Sequence, residues 1–361
     1  VYYMSFGGSR LGAALLGVST VEITIEFERA KKSDLMLKSL LFVLVAPLLC
    51  FRLHLNEGID VFYCDDSLPI YSALIKSITR SSVITRMGDW HVGYLLADGK
   101  SVVKKLLLSF ALQIERTVWK KMNGIIVVSQ AFKEFLIKQG IRDDRIAVVE
   151  DAVDTELFTP ENSGTRVRER YEIGRNPIIG FHGILVPIKG LETLLLAVPK
   201  VLERFQSAKF MIVGDGPSLV ALRKTAKHLK IDGSVIFTGW VPFTKVPEHV
   251  AAFDIGVVTR NENAANNLVV TIALLQYWAS GKPVVAPALK AMSALIEDGR
   301  NGLLYQCGNP SDLACKIMLL LTEAKAAEIG RNGLVTARHR FGTRFVGRNL
   351  ATEVLRLFRN P

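Results

Sequence analysis

The chain has 361 residues, more than one hydrophobic core usually organises, so we expect two domains of roughly 150 to 200 residues. Hydrophobic residues make up 49% of the sequence and charged residues 22%, and this balance excludes a disordered, collagen-like or coiled-coil chain. The formal net charge is +11, with 26 Lys and Arg against 17 Asp and Glu in residues 156–361, which favours an anionic partner over ordinary solubilising charge.

Ten short runs of apolar, mostly β-branched residues recur along the chain, with helical patterns between them. Because most of these runs lack polar alternation, they are typical of strands in a parallel sheet that helices cover on both faces. The sequence therefore predicts a doubly wound α/β chain with strands at 21–25, 61–63, 83–86, 125–128, 146–149, 178–181, 210–213, 235–237, 255–258 and 283–286.

The strand pattern breaks at 159–176, where proline, glycine and charged residues replace the apolar runs. We interpret this stretch as a linker between two doubly wound domains of similar size. Ligands of such folds bind beyond the carboxyl ends of the strands, so the loops that follow the strands are the places to look for a site.

Cysteine usage and hydropathy indicate the compartment. The four cysteines form no Cys-x-x-Cys pair, which predicts buried thiols in a reducing compartment rather than disulfides or a zinc site. The longest uncharged apolar run, 39–51, has 13 residues, and a membrane-spanning helix needs about 20. The first residues also lack the features of a signal peptide. We therefore expect a cytoplasmic protein without a transmembrane helix.

Two glycine-containing loops precede predicted helices in a way that suits an anion. Gly7 and Gly8 lie in the first half, and in the second half Gly183 follows a strand while Lys189 precedes the next helix. Main-chain N–H groups at a helix start, together with a lysine ammonium group, can hold a diphosphate, and glycine permits close approach. Taken alone, each pattern fits a plain turn or a surface lysine equally well.

Further loops in the second half follow in a distinctive order. Gly-Asp-Gly-Pro at 214–217 and Thr-Gly-Trp-Val at 238–241 each follow a strand, and a helix ends in Ala-Ser-Gly-Lys-Pro-Val-Val at 279–285. In this order the motifs resemble those of the retaining, nucleotide-sugar-dependent glycosyltransferases of family 4. The resemblance is strong over residues 125–345 and holds only in outline over residues 1–120.

The resemblance implies the GT-B fold, in which two Rossmann-like, doubly wound α/β domains face a central cleft. Residues 1–160 would then form an acceptor-binding domain and residues 161–340 a donor-binding domain. Residues 341–361 would form a C-terminal helix that packs back on the N-terminal domain.

The resemblance also implies which residues bind the donor. Lys189 would be a catalytic residue on the donor diphosphate, and Gln276 stands where the family has a glutamate that binds the ribose. No metal pattern is evident, so we expect neither a metal ion nor a cofactor. The remaining donor-binding candidates are Gly7, Gly8, Gly183, Gly214, Gly216, Gly239, Trp240, Val241, Asn266 and Asn267.

Some positions depart from the family pattern. Ile184 replaces an arginine, so Lys189 would act alone on the diphosphate, and Leu268 replaces a glutamate that contacts the sugar. A polar run precedes Leu268, and Glu262 or Asn266 within it could contact the sugar instead. Glu262 is therefore a further catalytic candidate. The alternative is that the run is only a solvated loop.

In the first half, the predicted strand at 83–86 leads into a polar turn that contains Asp89, Trp90 and His91. The resemblance places a histidine near the end of this strand, so His91 is the candidate to bond a donor hydroxyl or to shuttle the acceptor proton, with an ordinary loop histidine as the alternative. Asp65, Asp89 and Trp90 are the acceptor-binding candidates, although Asp65 also suits a helix cap.

A basic-flanked apolar stretch at 102–114 indicates an amphipathic helix, with Lys104, Lys105, Arg116 and Lys120 among its flanking cations. Such a helix can lie on an anionic bilayer and would place the protein on the inner face of a membrane, which suits a lipid-linked acceptor. A buried helix with solvated ends is an equal alternative.

The sequence therefore predicts a retaining glycosyltransferase that moves a sugar from a nucleoside diphosphate donor, such as a UDP-sugar, to a hydroxyl of a glycan or lipid-linked acceptor. The missing glutamates leave a non-catalytic GT-B protein or partner subunit as the alternative. A nicotinamide-dependent dehydrogenase would need Gly-x-Gly-x-x-Gly after the first strand, which residues 7–12 do not provide. Nucleic-acid binding rests on charge alone, so no nucleic-acid partner is expected.

Overall fold

The computed structural model describes residues 2–5, 23–24, 47–65, 69–97, 102–322 and 325–359. The chain divides into two compact units, of which the first comprises residues 1–151 with 344–361 and the second residues 152–343. Gly7 and Gly8 lie outside the described residues, and so does the side chain of Asp65.

The first unit is built on a parallel sheet with the strand order β2-β1-β3-β4-β5-β6. Its strands are Tyr2–Ser5 (β1), Ile23–Thr24 (β2), Val61–Asp65 (β3), Ser82–Met87 (β4), Gly124–Val127 (β5) and Ile146–Val148 (β6). Its helices before residue 151 are residues 47–57 (α1), Pro69–Thr79 (α2), His91–Ala97 (α3), Val102–Lys121 (α4) and Gln130–Lys138 (α5).

Local sequence explains the best-packed part of this unit. All four residues of β5 are buried, as a central strand covered on both faces requires. Helix α5 begins after Ser129, whose hydroxyl oxygen accepts a hydrogen bond from the N–H of Phe132 at 3.0 Å. This cap directs Phe132 and Leu136 into the core, where both are fully buried.

The second unit holds a second parallel sheet, with the strand order β12-β11-β10-β7-β8-β9. Its strands are Ile178–His182 (β7), Lys209–Val213 (β8), Val235–Gly239 (β9), Ile255–Val257 (β10), Val284–Pro287 (β11) and Leu303–Tyr305 (β12). Its helices are Thr165–Arg170 (α6), Leu191–Arg204 (α7), Leu219–His228 (α8), Val246–Ala252 (α9), Ile272–Ala279 (α10), Lys290–Ser293 (α11), Pro310–Thr322 (α12) and Lys325–Thr336 (α13).

The doubly wound α/β prediction is confirmed, and each of the ten predicted strands overlaps a strand of the structure. Strands β1 and β12 were not predicted. Neither contains a β-branched residue, so neither carries the signal on which the sequence interpretation relied.

Residues 159–176, expected as a linker, are part of the second unit. Val167 and Ile173 are buried in its core. The Arg168 guanidinium donates to the carbonyl oxygens of Gly174 and Asn176 and to the Asp254 carboxylate, at 3.1, 3.0 and 2.6 Å. The glycines and charges that suggested a linker therefore join this segment to the sheet, and the boundary between the units falls after residue 151.

The C-terminal helix, Thr343–Arg359 (α14), belongs to the first unit from residue 344 onward. Leu357 is fully buried against Gly124 of β5, where an added Cβ would lie 2.8 Å from a Leu357 methyl carbon. The Arg356 guanidinium donates to the carbonyl oxygen of Asp144 at 3.0 Å.

The cysteines only partly match the expectation of buried thiols. Within the part of the chain that the structure describes, none of the four forms a disulfide; Cys50 and Cys64 are buried, whereas Cys307 is half-buried and Cys315 is exposed on α12. Within the described residues, the helices are either too short or too polar to cross a bilayer.

Candidate functional site

The strand order of the second sheet locates a candidate site. From β7 the chain adds β8 and β9 on one side, and then returns to add β10, β11 and β12 on the other side of β7. The carboxyl ends of β7 and β10 therefore meet at a point where the strand order reverses, and open α/β sheets bind ligands at such points. Lys189 follows β7, and Arg260 follows β10.

Hydrogen bonds between loops bring the predicted glycines together at this edge of the sheet. The N–H of Gly183 donates to the carbonyl oxygen of Val213 at 3.0 Å, and the N–H of Gly214 donates to that of Gly239 at 3.1 Å. The N–H of Leu185 likewise donates across to the loop after β8. Gly183, Gly214 and Gly239 thus belong to one connected group of three loops.

The glycines of the Gly-Asp-Gly-Pro motif are required by the packing of these loops. Gly214 has φ +141°, and an added Cβ would lie 2.0 Å from the carbonyl oxygen of Gly183. Gly216 has φ +156°, and its Cβ would lie 2.4 Å from the carbonyl oxygen of Leu185. The backbone of one loop therefore occupies the space of the missing side chains, while contact of Gly214 and Gly216 with a donor stays a prediction.

Lys189 ends a single turn of 3₁₀ helix that begins at Pro187. Gly190 follows with φ +61° and serves as the N-terminal cap residue of α7. The turn places Lys189, which is half-buried, between the end of β7 and the start of α7.

His182, the last residue of β7, is a polar residue of this region that the sequence reasoning missed. Burial, together with the charge of Lys189, lowers the pKa of its imidazole to about 3, so the ring is neutral at physiological pH. Its ring meets Tyr277 edge-on at 5.1 Å between centroids, and its backbone N–H donates to the Tyr277 hydroxyl at 3.0 Å. Its Nε2 atom is buried and has no hydrogen-bond partner among the described residues. Sequence reasoning could have selected His182 from its position next to Gly183, which was already a donor-binding candidate.

Arg260 is a second residue that the sequence reasoning missed. It is 7% exposed, and its Nε donates to the hydroxyl of Thr271 at 2.8 Å. A second guanidinium nitrogen donates to the side-chain oxygen of Asn266, which is fully buried. Thr271 is the cap residue that precedes α10, so the guanidinium lies at the start of that helix. The sequence did contain a hint of its role, because Arg260 is a cation that closely follows a buried apolar strand.

The same loop is joined to the turn that carries Lys189. The N–H of Asn261 donates to the carbonyl oxygen of Ile188 at 3.2 Å, and its side-chain amide donates to that of Pro187 at 2.8 Å. Gly190 completes the fit, because an added Cβ would lie 2.5 Å from the side-chain oxygen of Asn261.

The polar run before Leu268 is therefore more than a solvated loop. The Asn266 amide nitrogen donates to the carbonyl oxygen of Asn261 at 2.7 Å, so Asn266 supports the loop from within. The side-chain oxygen of Asn267 accepts from the N–H of Lys290 at 2.9 Å. Glu262 is exposed at the surface of the loop. Sequence reasoning had selected Asn266 for donor contact, but its complete burial makes it a support of the loop.

The other donor candidates differ in exposure. Trp240 is 66% exposed and Val241 is half-buried, and both follow β9. Gln276 is 6% exposed within α10, and Leu268 is equally buried. Ribose binding by Gln276 remains a prediction.

In the first unit, the structure places Trp90 in the core. Its ring is 4% exposed and lies 4.4 Å from that of Phe135, and its indole N–H donates to the Glu115 carboxylate at 3.0 Å. The indole therefore faces the protein interior, which corrects the prediction that this side chain binds the acceptor. Burial raises the pKa of the Glu115 carboxyl to about 7, although the bond from Trp90 opposes the shift.

Asp89 and His91 flank Trp90 at the carboxyl end of β4. Asp89 accepts a hydrogen bond from the hydroxyl of Tyr94 at 2.6 Å, and the exposed His91 begins α3. Their roles in binding an acceptor or moving a proton stay predictions. The part of the chain that the structure describes holds no group of three His, Cys, Asp or Glu side chains that could bind a metal ion.

Two family models match this chain. Residues 176–323 match the model described as Glycosyl transferases group 1, and residues 24–157 match Glycosyltransferase Family 4.

Curated relatives match over half of the chain or more. A GDP-mannose-dependent alpha-(1-6)-phosphatidylinositol monomannoside mannosyltransferase of Mycobacterium tuberculosis is 32% identical over 197 residues, which is 53% of this chain and 51% of the relative. An alpha-D-kanosaminyltransferase of Streptomyces kanamyceticus is 26% identical over 77% of this chain and 72% of the relative. The chain thus spans about half the length of several curated relatives that it matches.

Solved structures share the whole fold. Anabaena Alr3699/HepE in complex with UDP-glucose superposes with a TM-score of 0.77 at 19% identity, covering 98% of each chain. Sucrose-phosphate synthase from Thermosynechococcus elongatus superposes with a TM-score of 0.74 at 16% identity, covering 94% of this chain and 84% of that one. With two parallel doubly wound sheets and these likenesses, the chain has the GT-B fold, and its residues 24–157 and 176–323 match glycosyltransferase domains of family 4 and group 1.

Proposed function

We propose that this protein is a retaining glycosyltransferase that moves a sugar from a nucleoside diphosphate donor to an acceptor hydroxyl. The observation that carries the proposal is the grouping at the switch point of the second sheet. There the glycine loops after β7 and β8, the Lys189 turn and the start of α10 all follow neighbouring strands. Their groups suit a diphosphate, because main-chain N–H groups at helix starts and an ammonium group both favour phosphate oxygens.

In the proposed reaction the protein stabilises the departing diphosphate rather than supplying a nucleophile. The bond between the sugar's anomeric carbon and the diphosphate oxygen breaks, and the electron pair leaves with the diphosphate. Lys189 and the main-chain N–H groups would hold that developing charge beside an oxocarbenium-like sugar. The acceptor hydroxyl then attacks from the same face and loses its proton, with the diphosphate or His91 as the proposed proton acceptor.

The two glycosyltransferase domain matches and the transferase names of the relatives favour an enzyme over a non-catalytic partner subunit. The donor of one relative is GDP-mannose by its name, and one structural neighbour was solved with UDP-glucose. A UDP-sugar or a GDP-sugar is accordingly the proposed donor.

Binding of UDP and GDP to a Lys189→Ala variant tests the donor site. Loss of a charged hydrogen bond costs about 1.5 to 3 kcal/mol, so affinity for the preferred diphosphate should fall by about tenfold or more. Lys227→Ala, which removes an exposed lysine from the last turn of α8, serves as the matched control. Unchanged affinity in the Lys189 variant would place this lysine outside the site.

The retaining outcome and the expected independence from metal ions need separate measurements. Proton NMR of the fresh product reports whether the anomeric configuration of the donor is kept, and an inverted product would contradict the retaining mechanism. Activity in excess EDTA should equal activity with added magnesium, because the proposed charge stabilisation uses Lys189 and backbone groups.

For the acceptor we propose a hydroxyl of a glycan or lipid-linked molecule, reached at the inner face of an anionic membrane. The apolar side of α4 supports a membrane surface, because Leu106, Leu107 and Phe110 are each about two-thirds exposed. Lys120 and Lys121 are exposed at the last turn of the same helix and suit anionic headgroups. The mycobacterial relative acts, by its name, on a phosphatidylinositol monomannoside.

Vesicle flotation tests the membrane proposal independently of the donor site. Vesicles that contain 30 mol% phosphatidylglycerol should bind the protein more strongly than pure phosphatidylcholine, and 0.5 M salt should weaken binding. A Leu107→Asp, Phe110→Asp double variant should lose at least tenfold in vesicle affinity, while Leu355→Asp on α14, also exposed, should not. Equal binding by all three proteins would overturn the membrane proposal and leave the donor proposal standing.

A further inference from the structure

Arg260 is a buried cation that the donor chemistry above does not use. It lies three residues after the end of β10 and is 7% exposed, so its charge lies within the protein at the switch point rather than in solvent. Placing a guanidinium in such surroundings costs free energy unless hydrogen bonds fix it well. The hydrogen bonds of the Arg260 guanidinium show which segments of the site it connects.

One of these bonds leads to the start of α10. The Arg260 Nε donates to the Thr271 hydroxyl at 2.8 Å, and Thr271 is the cap residue of this helix. The N-terminal end of a helix carries partial positive charge, which makes a cation there unfavourable and an anion favourable. The guanidinium and the helix start therefore present positive charge together.

A second bond of Arg260 leads to the turn that carries Lys189. Through its side-chain oxygen, Asn266 accepts from Arg260, and its amide nitrogen donates to the carbonyl oxygen of Ile188 at 3.3 Å. Asn261, next to Arg260, donates twice to the same turn, to the carbonyl oxygens of Ile188 and Pro187. Arg260 thus connects two segments that follow different strands and that both belong to the proposed diphosphate site.

We infer that Arg260 is a positioning residue for the donor diphosphate, which holds the Lys189 turn and the first turn of α10 at one fixed separation. This inference rests on the proposed function. It explains how Lys189 can serve where Ile184, 58% exposed, supplies no second charge beside Gly183. Because Ile184 adds no charge there, binding of the diphosphate should depend on the position of Lys189 relative to the start of α10.

Calorimetric titration with UDP, GDP, uridine and guanosine tests the inference. Arg260→Gln should weaken binding of the preferred diphosphate at least tenfold and change binding of its nucleoside less than twofold. The diphosphate affinity of Arg260→Lys should lie between those of Arg260→Gln and the wild type, because a lysine cannot reproduce the planar guanidinium that reaches Thr271 and Asn266 together. The matched control is Arg204→Gln, which removes an exposed arginine at the far end of α7.

A double-mutant cycle distinguishes positioning from direct contact. If Arg260 acts through Lys189, then Arg260→Gln should cost no more than about threefold in a Lys189→Ala background. An undiminished tenfold loss in that background would make Arg260 an independent contact and overturn the positioning role. No change in diphosphate affinity on Arg260→Gln would overturn the inference but not the proposed function. If the wild-type protein binds neither UDP nor GDP, the donor site itself fails and the inference falls with it.

A gentler pair of variants covers the case in which Arg260→Gln does not fold. Thr271→Val removes the hydroxyl that receives the guanidinium, whereas Thr271→Ser keeps it. Thr271→Val should lose about threefold to fivefold in diphosphate affinity, and Thr271→Ser should bind as wild type does. Equal affinities in the two variants, or an equal loss for nucleoside and diphosphate, would contradict the inference.

Discussion

Gly190→Ala probes how strictly the Lys189 turn is placed. Gly190 has φ +61°, in the left-handed region that alanine avoids. Its missing Cβ also faces the loop after β10, because a Cβ there would lie 2.5 Å from the side-chain oxygen of Asn261 and 3.1 Å from its backbone nitrogen. The substitution therefore introduces both backbone strain and a steric clash.

The free-energy costs of the strain and of the clash can be assessed one at a time. An alanine held in the left-handed region costs roughly 1 to 2 kcal/mol. Relief of the clash requires the Asn261 side chain to move, which breaks its 2.8 Å hydrogen bond to the carbonyl oxygen of Pro187 and costs about 1 kcal/mol more. We expect Gly190→Ala to lower the free energy of unfolding by about 2 to 3 kcal/mol and to weaken UDP or GDP binding at least fivefold, because the Lys189 turn shifts.

Gly174→Ala is the matched control for this prediction. Gly174 has φ +58°, but no atom lies within 4 Å of the position where its Cβ would be. This variant should show the strain alone, about 1 to 2 kcal/mol, and bind the diphosphate as wild type does. Urea unfolding followed by tryptophan fluorescence and calorimetric titration give the two quantities. Equal losses of stability and affinity in both variants would refute the reasoning that the Asn261 contact places Lys189.

Two further predictions concern stability. The pKa of Glu115 is raised from 4.5 to about 7, so the folded state keeps a proton that the unfolded state releases, and stability should fall as pH rises between these values. At about 1.4 kcal/mol per pH unit, Glu115→Gln should be more stable than wild type by about 3 kcal/mol at pH 8.5 and equal at pH 4, whereas the exposed Glu57→Gln should match wild type at both. Arg168→Leu should lower the urea midpoint of the second unit by removing the bonds to Gly174, Asn176 and Asp254, at a cost of about 2 to 4 kcal/mol, and an unchanged midpoint would restore the linker interpretation of residues 159–176.

Local patterns in the sequence were enough for the elements and for part of the site. Continuous apolar runs such as 125–128 and 210–213 predicted buried parallel strands, because each residue of such a strand meets a helix-covered face. The order of the glycine loops then indicated the family, and Lys189 and Gly183 could be selected because helix starts after strands favour anions. These inferences depend only on residues close together in the chain.

Only the tertiary structure shows which residues from distant parts of the chain contact each other. Arg260 and Lys189 are joined because β10 pairs with β7, a pairing that no local pattern records. The sequence places Trp90 in a polar turn, yet its side chain is buried in the core, where it donates to Glu115 and packs against Phe135, which belong to other helices. Residues 159–176 have the composition of a linker, but the Arg168 bonds to Ala252 and Asp254 make them part of a domain. A local sequence pattern specifies strands and turns, whereas the chain crossing that orders the strands determines which side chains meet.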